Sequence, residues 1–472
     1  MRMQPLSTAT PHAPTVEEIP SLVGKGRLFG HPKALTFLFA TEMWERFSYY
    51  GMRALLTLYM VKYLFLNNPA EHVFGYATLK SALELVFGPL GVQPMASQVY
   101  GLYTGLVFLT PVLGGLIADR LLGRSRTVII GAVLMAIGHF MMAFETLFLP
   151  ALLMLILGNG AFKPNISTQV GGLYAQGDHR RDRAYSIFYV GINLGAFFSP
   201  LVCGTLGENV GWHYGFGAAG IGMLVGLFIY LYGQRFQPQE ATIVRGRTIH
   251  KKEPFTRAEW KAVIALLILW FPTVLFWATY EQQGNTIALW ADDFTDRTFT
   301  LFSFAAAIPT TWFQSFNPFM IFAFTPFVVA FWAWQAKRGT EPSTVTKMAM
   351  GCLGVAAANL LMVLAAHQAG ADGKASWLWL FGYFVFVTTG ELYLSPIGLS
   401  LVSKVAPGRI LSMMMGVWLA TSFAGNFLSG WLGSFWTAMD KADFFLMIAA
   451  IAGAAGVVIW LFNRPLTPIL GE

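Results

Sequence analysis

Apolar residues run along this chain in twelve blocks, each close to the ~20 residues that a helix needs to cross a bilayer. They fall near 35–65, 98–118, 126–145, 149–172, 184–205 and 214–233, then near 260–289, 317–336, 347–366, 377–402, 410–436 and 443–462. A basic loop from Arg235 to Lys261 divides them six and six. The pattern predicts an all-α integral membrane protein of two six-helix bundles. Its parts are a cytoplasmic tail (1–33), an N-terminal bundle (34–234), a cytoplasmic linker (235–258), a C-terminal bundle (259–464) and a cytoplasmic C-terminus (465–472). Residues 1–30 are polar and contain four prolines, so they read as disordered rather than as a signal segment. The stretch 73–90 is also apolar but holds Lys80 and Glu84. It reads as an outer extension or surface helix.

Polar positions break the first span in a regular way. Glu42, Glu45, Arg46, Tyr49 and Arg53 are spaced i, i+3, i+4, i+7 and i+11, which sets them on one helix face. A charge at membrane depth costs roughly 2.5–3.5 kcal/mol on insertion scales and is usually functional. This face lines something polar, while Phe47, Ala54, Leu55 and Leu58 supply a packing or lipid face.

Composition supports the membrane reading. Only 12% of the 472 residues are charged, against about 25% in soluble domains. The net charge of +7 does not mark a nucleic-acid binder, because its distribution is topological. With both termini inside, 23 Lys/Arg fall on the cytoplasmic side and five (Lys62, Lys80, Arg297, Lys374, Lys441) outside. Arg46, Arg53 and Lys163 are the three left within the membrane. Making residues 73–90 a span would destroy this asymmetry. Cys203 and Cys352 sit in apolar blocks without metal-ligand spacing and read as inert core residues. No metal site is predicted.

The halves echo each other. Phe108-Leu-Thr-Pro111 in the second span has a counterpart in Phe324-Thr-Pro326 of the eighth. Asn159 and Lys163 precede Pro164 as Glu391 and Ser395 precede Pro396. Helices interrupted at matching positions of two halves point to a transporter with its site at their interface. Bottom-up chemistry narrows the substrate. A short peptide is a zwitterion, so its site needs a fixed cation, a fixed anion and amide partners. Arg46 and Lys163 can receive the carboxylate, and Glu391 the ammonium. Asn193 and Asn317 offer amide groups, or alternatively bond only across helices. Tyr49, Tyr50 and Trp418 suit either pocket walls or packing.

Motifs along residues 30–465 carry a family resemblance. Glu42-Met-Trp-Glu45-Arg46-Phe-Ser-Tyr49-Tyr50-Gly51 resembles the signature of the proton-dependent oligopeptide transporter (peptide/nitrate) family of the major facilitator superfamily. Gly158-Asn-Gly-Ala-Phe-Lys163-Pro164-Asn165-Ile-Ser167 and Phe188-Tyr-Val-Gly-Ile-Asn193 are similar to its fourth- and fifth-helix motifs. Glu281-Gln-Gln-Gly284, Asn317-Pro318, Gly390-Glu391 and Met414-Met-Gly-Val-Trp418 resemble later ones. Gly115-Leu-Ile-Ala-Asp119-Arg120-Leu-Leu-Gly123-Arg124 is similar to the superfamily's loop between helices 2 and 3, so Asp119, Arg120 and Arg124 read as a structural gate lock. The resemblance implies a proton symporter importing di- and tripeptides, with no cofactor beyond the proton gradient, in a cell membrane of bacterial type. A monomer is the default, because one chain supplies both halves.

The resemblance also implies roles. Arg53 pairs with Glu281 to close the outer gate, and protonating Glu281 reopens it. Lys163 and Glu391 form a second bridge sensitive to the peptide's termini. Glu42 and Glu45 couple proton and carboxylate binding around Arg46. Burial raises a carboxylate's pKa and a neighbouring cation lowers it, so a carboxylate that gains and loses a cation can load and release protons. Two positions depart from the family pattern. Gly101 stands where animal members carry a histidine, and Phe108 stands where many members place a pocket tyrosine. The alternatives are a transporter of nitrate or another small organic solute, and a non-transporting peptide sensor. An intramembrane hydrolase is disfavoured, since no HExxH occurs and most of the eight histidines lie in tails or loops. A channel needs neither kinked halves nor matched charges.

Overall fold

The computed structural model describes residues 26–175, 178–238, 255–301, 304–370, 373–407 and 410–470. The tail reading for 1–25 and most of the linker, 239–254, lie outside them. Twelve long helices carry the fold. The first half has α1 (Lys33–Tyr59), α2 (Val92–Ile117), α3 (Arg124–Met141), α4 (Phe148–Gly171), α5 (Arg180–Ser199) and α6 (Trp212–Gly233). The second has α7 (Arg257–Tyr280), α8 (Phe316–Lys337), α9 (Thr344–Ala369), α10 (Trp377–Val405), α11 (Leu411–Gly433) and α12 (Lys441–Leu461). Among the described residues, nine helices are long and apolar enough to cross a membrane. The other three are α1, α3 and α11, with 27, 18 and 23 residues. Charges explain α1, which holds Lys33, Glu42, Glu45, Arg46 and Arg53.

Each half has its own apolar core. One cluster draws on residues from Ala34 to Tyr230, and the other on residues from Ala265 to Leu466 with Leu58 of α1 joining it. Residues 73–90 behave as expected of a surface element. Tyr76–Phe87 is a 12-residue helix anchored by Tyr76 and Leu83, with Leu85 and Val86 exposed. A capping box opens α7: Glu259 N–H donates to Thr256 Oγ1 (3.2 Å) and Thr256 N–H to Glu259 Oε2 (2.8 Å). Twelve passes put both described chain ends on one side, hereafter the termini side.

The seventh span departs from the predicted continuous block. α7 stops at Tyr280, the backbone makes a tight turn over Glu281–Gly284, and a short helix resumes over Thr286–Asp293. Gly284 is required here, because a Cβ at that position would lie 2.0 Å from Tyr100 Oη. Thr57 Oγ1 of the first half donates to the Gly284 carbonyl at 2.9 Å. Irregular backbone at membrane depth is tolerated where such partners satisfy it.

The halves meet tightly where α2 crosses α11. A Cβ on Gly101 would fall 2.6 Å from Gly430 Cα, so no side chain fits between the two backbones. This explains why position 101 carries no histidine here. Gly101→Leu should lower the melting temperature in detergent by several degrees and cut transport, through overpacking of about 1–3 kcal/mol. Gly217→Leu is the control, since nothing lies within 4 Å of a Cβ there. Equal melting temperatures for the two variants would refute the close crossing.

Candidate functional site

Between the halves lies a cavity of about 290 Å³, at the lower end of the ~300–1,000 Å³ usual for small-molecule sites. The first half contributes Arg46, Tyr49, Tyr50 and Arg53 from α1, Phe108 from α2, Lys163 from α4 and Asn193 from α5. The second contributes Glu281, Asn317 of α8, and Glu391 and Ser395 of α10. Pro164 and Pro396 interrupt α4 and α10 beside these residues. The cavity therefore has cations on the first half's side and the carboxylates of Glu281 and Glu391 on the second's.

The charged stripe of α1 forms two centres. In the first, Arg46 Nη2 donates to Glu45 Oε1 (2.7 Å), Arg46 Nε also pairs with Glu45, and Glu42 Oε1 lies 3.3 Å from Arg46 Nε. Asn159 Nδ2 adds a contact to Glu45 Oε1 at 3.3 Å. Glu42, Glu45 and Arg46 are 1%, 0% and 3% exposed, so the cluster holds two carboxylates against one guanidinium away from water. Glu42 Oε2 is buried and has no hydrogen-bond partner among the described residues. Arg46 stays at the cavity wall, its guanidinium 5.1 Å from the Tyr49 ring centre.

In the second centre, Arg53 Nη2 bonds Glu281 Oε2 across the halves, and Arg53 Nε donates to Tyr100 Oη at 2.9 Å. More bonds join the halves on the same side, away from the termini. Glu208 Oε2 accepts from Thr310 N–H (2.8 Å), and Glu208 Oε1 accepts from Thr311 N–H (2.8 Å) and Thr311 Oγ1 (2.6 Å). Lys62 pairs with Asp292 and Asp293, and Ser97 Oγ donates to Asn285 Oδ1 at 2.9 Å. The structure is closed on the side away from the termini.

Glu391 differs from its expected arrangement. No ion pair joins it to Lys163 among the described residues. Glu391 Oε2 instead accepts from Tyr280 Oη (2.6 Å) and Asn317 Nδ2 (2.9 Å). Lys163 Nζ sits 4.9 Å from the Phe108 ring centre, a cation–π contact. The predicted Lys163–Glu391 bridge is thus open in this state: Lys163 lies against Phe108, and two neutral donors hold Glu391 Oε2. Asn317 correspondingly spends its amide N–H on Glu391 and on Thr388 Oγ1 (3.0 Å). Asn193 Nδ2 bonds its own helix at Tyr189 O (3.0 Å), which leaves its Oδ1 for other uses.

Trp418 takes the packing alternative. It is 6% exposed, belongs to the second half's core and does not line the cavity. Its indole occupies the space that Gly398 leaves on α10, where a Cβ would come 2.7 Å from Trp418 Cζ2. Asp119 and Arg124 pair at 3.7 Å on the termini side, largely exposed, and Arg120 is exposed beside them. All three lie outside the cavity. Sequence reasoning overlooked Tyr189, Trp277, Tyr280, Gln283 and Gln314, which line the cavity, and Tyr100, which holds Arg53. Spacing offered a signal for two of them: Tyr189 is one turn before Asn193, and Tyr280 adjoins Glu281.

A model of the POT family matches residues 125–252 and 239–451. The di-/tripeptide transporter of Lactococcus lactis subsp. cremoris is 33% identical, with the alignment covering 94% of this chain and 97% of that protein. A peptide transporter of Yersinia enterocolitica subsp. palearctica is 34% identical over 87% of this chain and 89% of its own. Among solved structures, the peptide transporter POT in complex with sulfate superposes with a TM-score of 0.81 at 29% identity, covering 94% of this chain and 97% of that one. A POT family transporter in complex with 5-aminolevulinic acid gives 0.81 at 27% identity, with coverage of 94% and 98%.

Proposed function

We propose that this chain, which belongs to the POT family, imports di- and tripeptides together with protons by alternating access. The observation that carries this reading is the cavity with Arg46 and Lys163 on one wall and Glu391 on the facing wall. A zwitterion places opposite charges at its two ends, and this cavity offers opposite partners on its two sides. Tyr50, Tyr189 and Trp277 supply walls whose faces accept varied side chains. A pure anion such as nitrate has no use for Glu391.

In the proposed cycle the termini face the cytoplasm, as the 23-to-five Lys/Arg asymmetry favours, and the membrane is the inner membrane of a bacterium. The structure then stands closed to the outside. Arg53 and Glu281 hold that closure while Glu281 is ionised, and a proton on Glu281 releases Arg53 and opens the outer side. Glu42 and Glu45 share Arg46 with the incoming peptide carboxylate. When the substrate draws Arg46 away, a carboxylate of the cluster loses its cation and takes a proton. The unpartnered Glu42 Oε2 is the open position for that proton. Asn317 and Tyr280 hold Glu391 toward the cavity until an ammonium arrives, while Asp119, Arg120 and Arg124 act at the cytoplasmic gate. The 1–33 tail, the 235–258 linker and a monomeric state complete the proposal.

Substrate competition tests the class. Unlabelled dialanine should suppress uptake of a labelled dipeptide at concentrations near its own KM, and equimolar nitrate should not. Suppression by nitrate alone would replace the peptide reading with an anion transporter.

A further inference from the structure

A second polar groove, of about 480 Å³, opens on the termini side where α4 ends and α5 begins. Its lining includes Arg124, Ser167, Tyr185 and Arg181. Helical register ties it to the central cavity. On α4, Lys163, Ser167 and Gly171 recur every four residues and so descend one face. On α5, Asn193, Tyr189, Tyr185 and Arg181 follow an i, i+4 ridge that turns about 40° per step over about 18 Å of helix. Lys163, Asn193 and Tyr189 line the central cavity, whereas Ser167, Gly171, Tyr185 and Arg181 line the groove. The two sites are the upper and lower parts of one polar stripe.

The lower part is built to present donors. Gly171 leaves open a space into which two groups converge, since a Cβ there would lie 2.5 Å from Tyr185 Oη and 3.1 Å from Arg181 Nη2. Tyr185 Oη donates to Ser167 O over 3.3 Å, a long bond that exchanges easily for a better acceptor. Two of the neighbouring cations are occupied. Asp178 grips Arg180 through several hydrogen bonds, which hold its carboxyl below the usual carboxylate range, and Asp119 pairs with Arg124. Arg181 is exposed, and among the described residues no carboxylate pairs with it. Asp182, the next residue, is turned about 100° around the helix.

We propose that Arg181, with Tyr185 and Ser167 beside it, is an exit station for the carboxylate of the departing peptide. It rests on the peptide-symport reading. A peptide leaving Lys163 and Arg46 toward the termini side must give up two cations. An arginine about two turns lower on the same stripe offers a charge-assisted fork to the same group, which divides one costly release into two smaller ones. The station acts on release and entry at the termini side, and leaves binding from the far side untouched.

The test uses full-length protein in proteoliposomes whose lumen faces the termini side, with dialanine as probe. Two quantities are read: the external KM for labelled dialanine, and the luminal dialanine concentration giving half-maximal counterflow. Arg181→Ala should raise the luminal value about tenfold, as loss of one charge-assisted bond implies, and leave the external KM unchanged. Arg181→Lys should restore part of the difference. Arg183→Ala, which removes the same charge two residues away, should shift neither. An unchanged luminal value in Arg181→Ala, an equal shift on both sides, or the same shift in Arg183→Ala overturns the station. Wild-type protein that moves no dialanine would instead overturn the peptide-symport reading.

Discussion

Glu281→Gln should abolish dipeptide accumulation driven by a pH gradient while sparing counterflow exchange. Glu281 lies in the turn that interrupts the seventh span, 3% exposed, with its carboxylate bonded to Arg53 of the opposite half. Glutamine keeps the shape of the side chain but is neutral like the protonated carboxyl, so it no longer holds Arg53 by charge. It can neither bind nor release a proton. A proton crossing 100 mV brings about 2.3 kcal/mol, enough for roughly 50-fold accumulation at one proton per peptide. In the variant that ratio should fall to about one, because no step then couples peptide movement to the proton. Counterflow needs only the substrate's own exchange and should persist. Normal accumulation by Glu281→Gln would remove Glu281 from the coupling path.

Arg46→Ala should both destabilise the protein and abolish uptake. The guanidinium is the cation between Glu42 and Glu45, and the three side chains are almost fully buried. Removing one partner of a buried pair costs about 3–5 kcal/mol, because the other is stranded. Here two carboxylates are left. The variant should melt well below wild type, and the protein that remains should show no saturable dipeptide uptake. Arg46→Lys separates the two effects. Lysine returns a charge but not the planar fork that serves Glu45 with two bonds. Its melting temperature should recover in part, while KM stays raised by at least about tenfold. An Arg46→Ala protein with wild-type KM would contradict the carboxylate role.

Charges buried in apolar runs were legible in the sequence because a membrane makes them expensive. The stripe on α1 forms the cluster and the cross-half pair that its spacing permitted, and the 73–90 stretch takes the surface position that its two charges require. What escaped depended on contacts. Tyr100 reads as one more aromatic in an apolar block, and only the fold brings its hydroxyl into the space at Gly284 and onto Arg53. Asn317 carries the amide chemistry of a peptide partner, yet its N–H is spent on Glu391. Trp418 follows a motif but fills the space over Gly398, which pattern alone does not show. Lys163 and Glu391 are complementary in charge, but charge does not reveal that Tyr280 and Asn317 hold Glu391 Oε2 while Lys163 lies against Phe108. The seventh block reads straight through Glu281 although Glu281-Gln-Gln-Gly284-Asn285 is polar, and the close approach of Tyr100 to Gly284 is visible only in the fold.

The proposed coupling of a peptide to a proton makes one demand above the others. Purified protein in proteoliposomes, given an inward proton gradient and labelled dialanine, should concentrate the peptide well above the outside level, and a protonophore should collapse that accumulation to equilibrium. Uptake that merely equilibrates with the gradient intact, or accumulation that survives the protonophore, would contradict proton coupling.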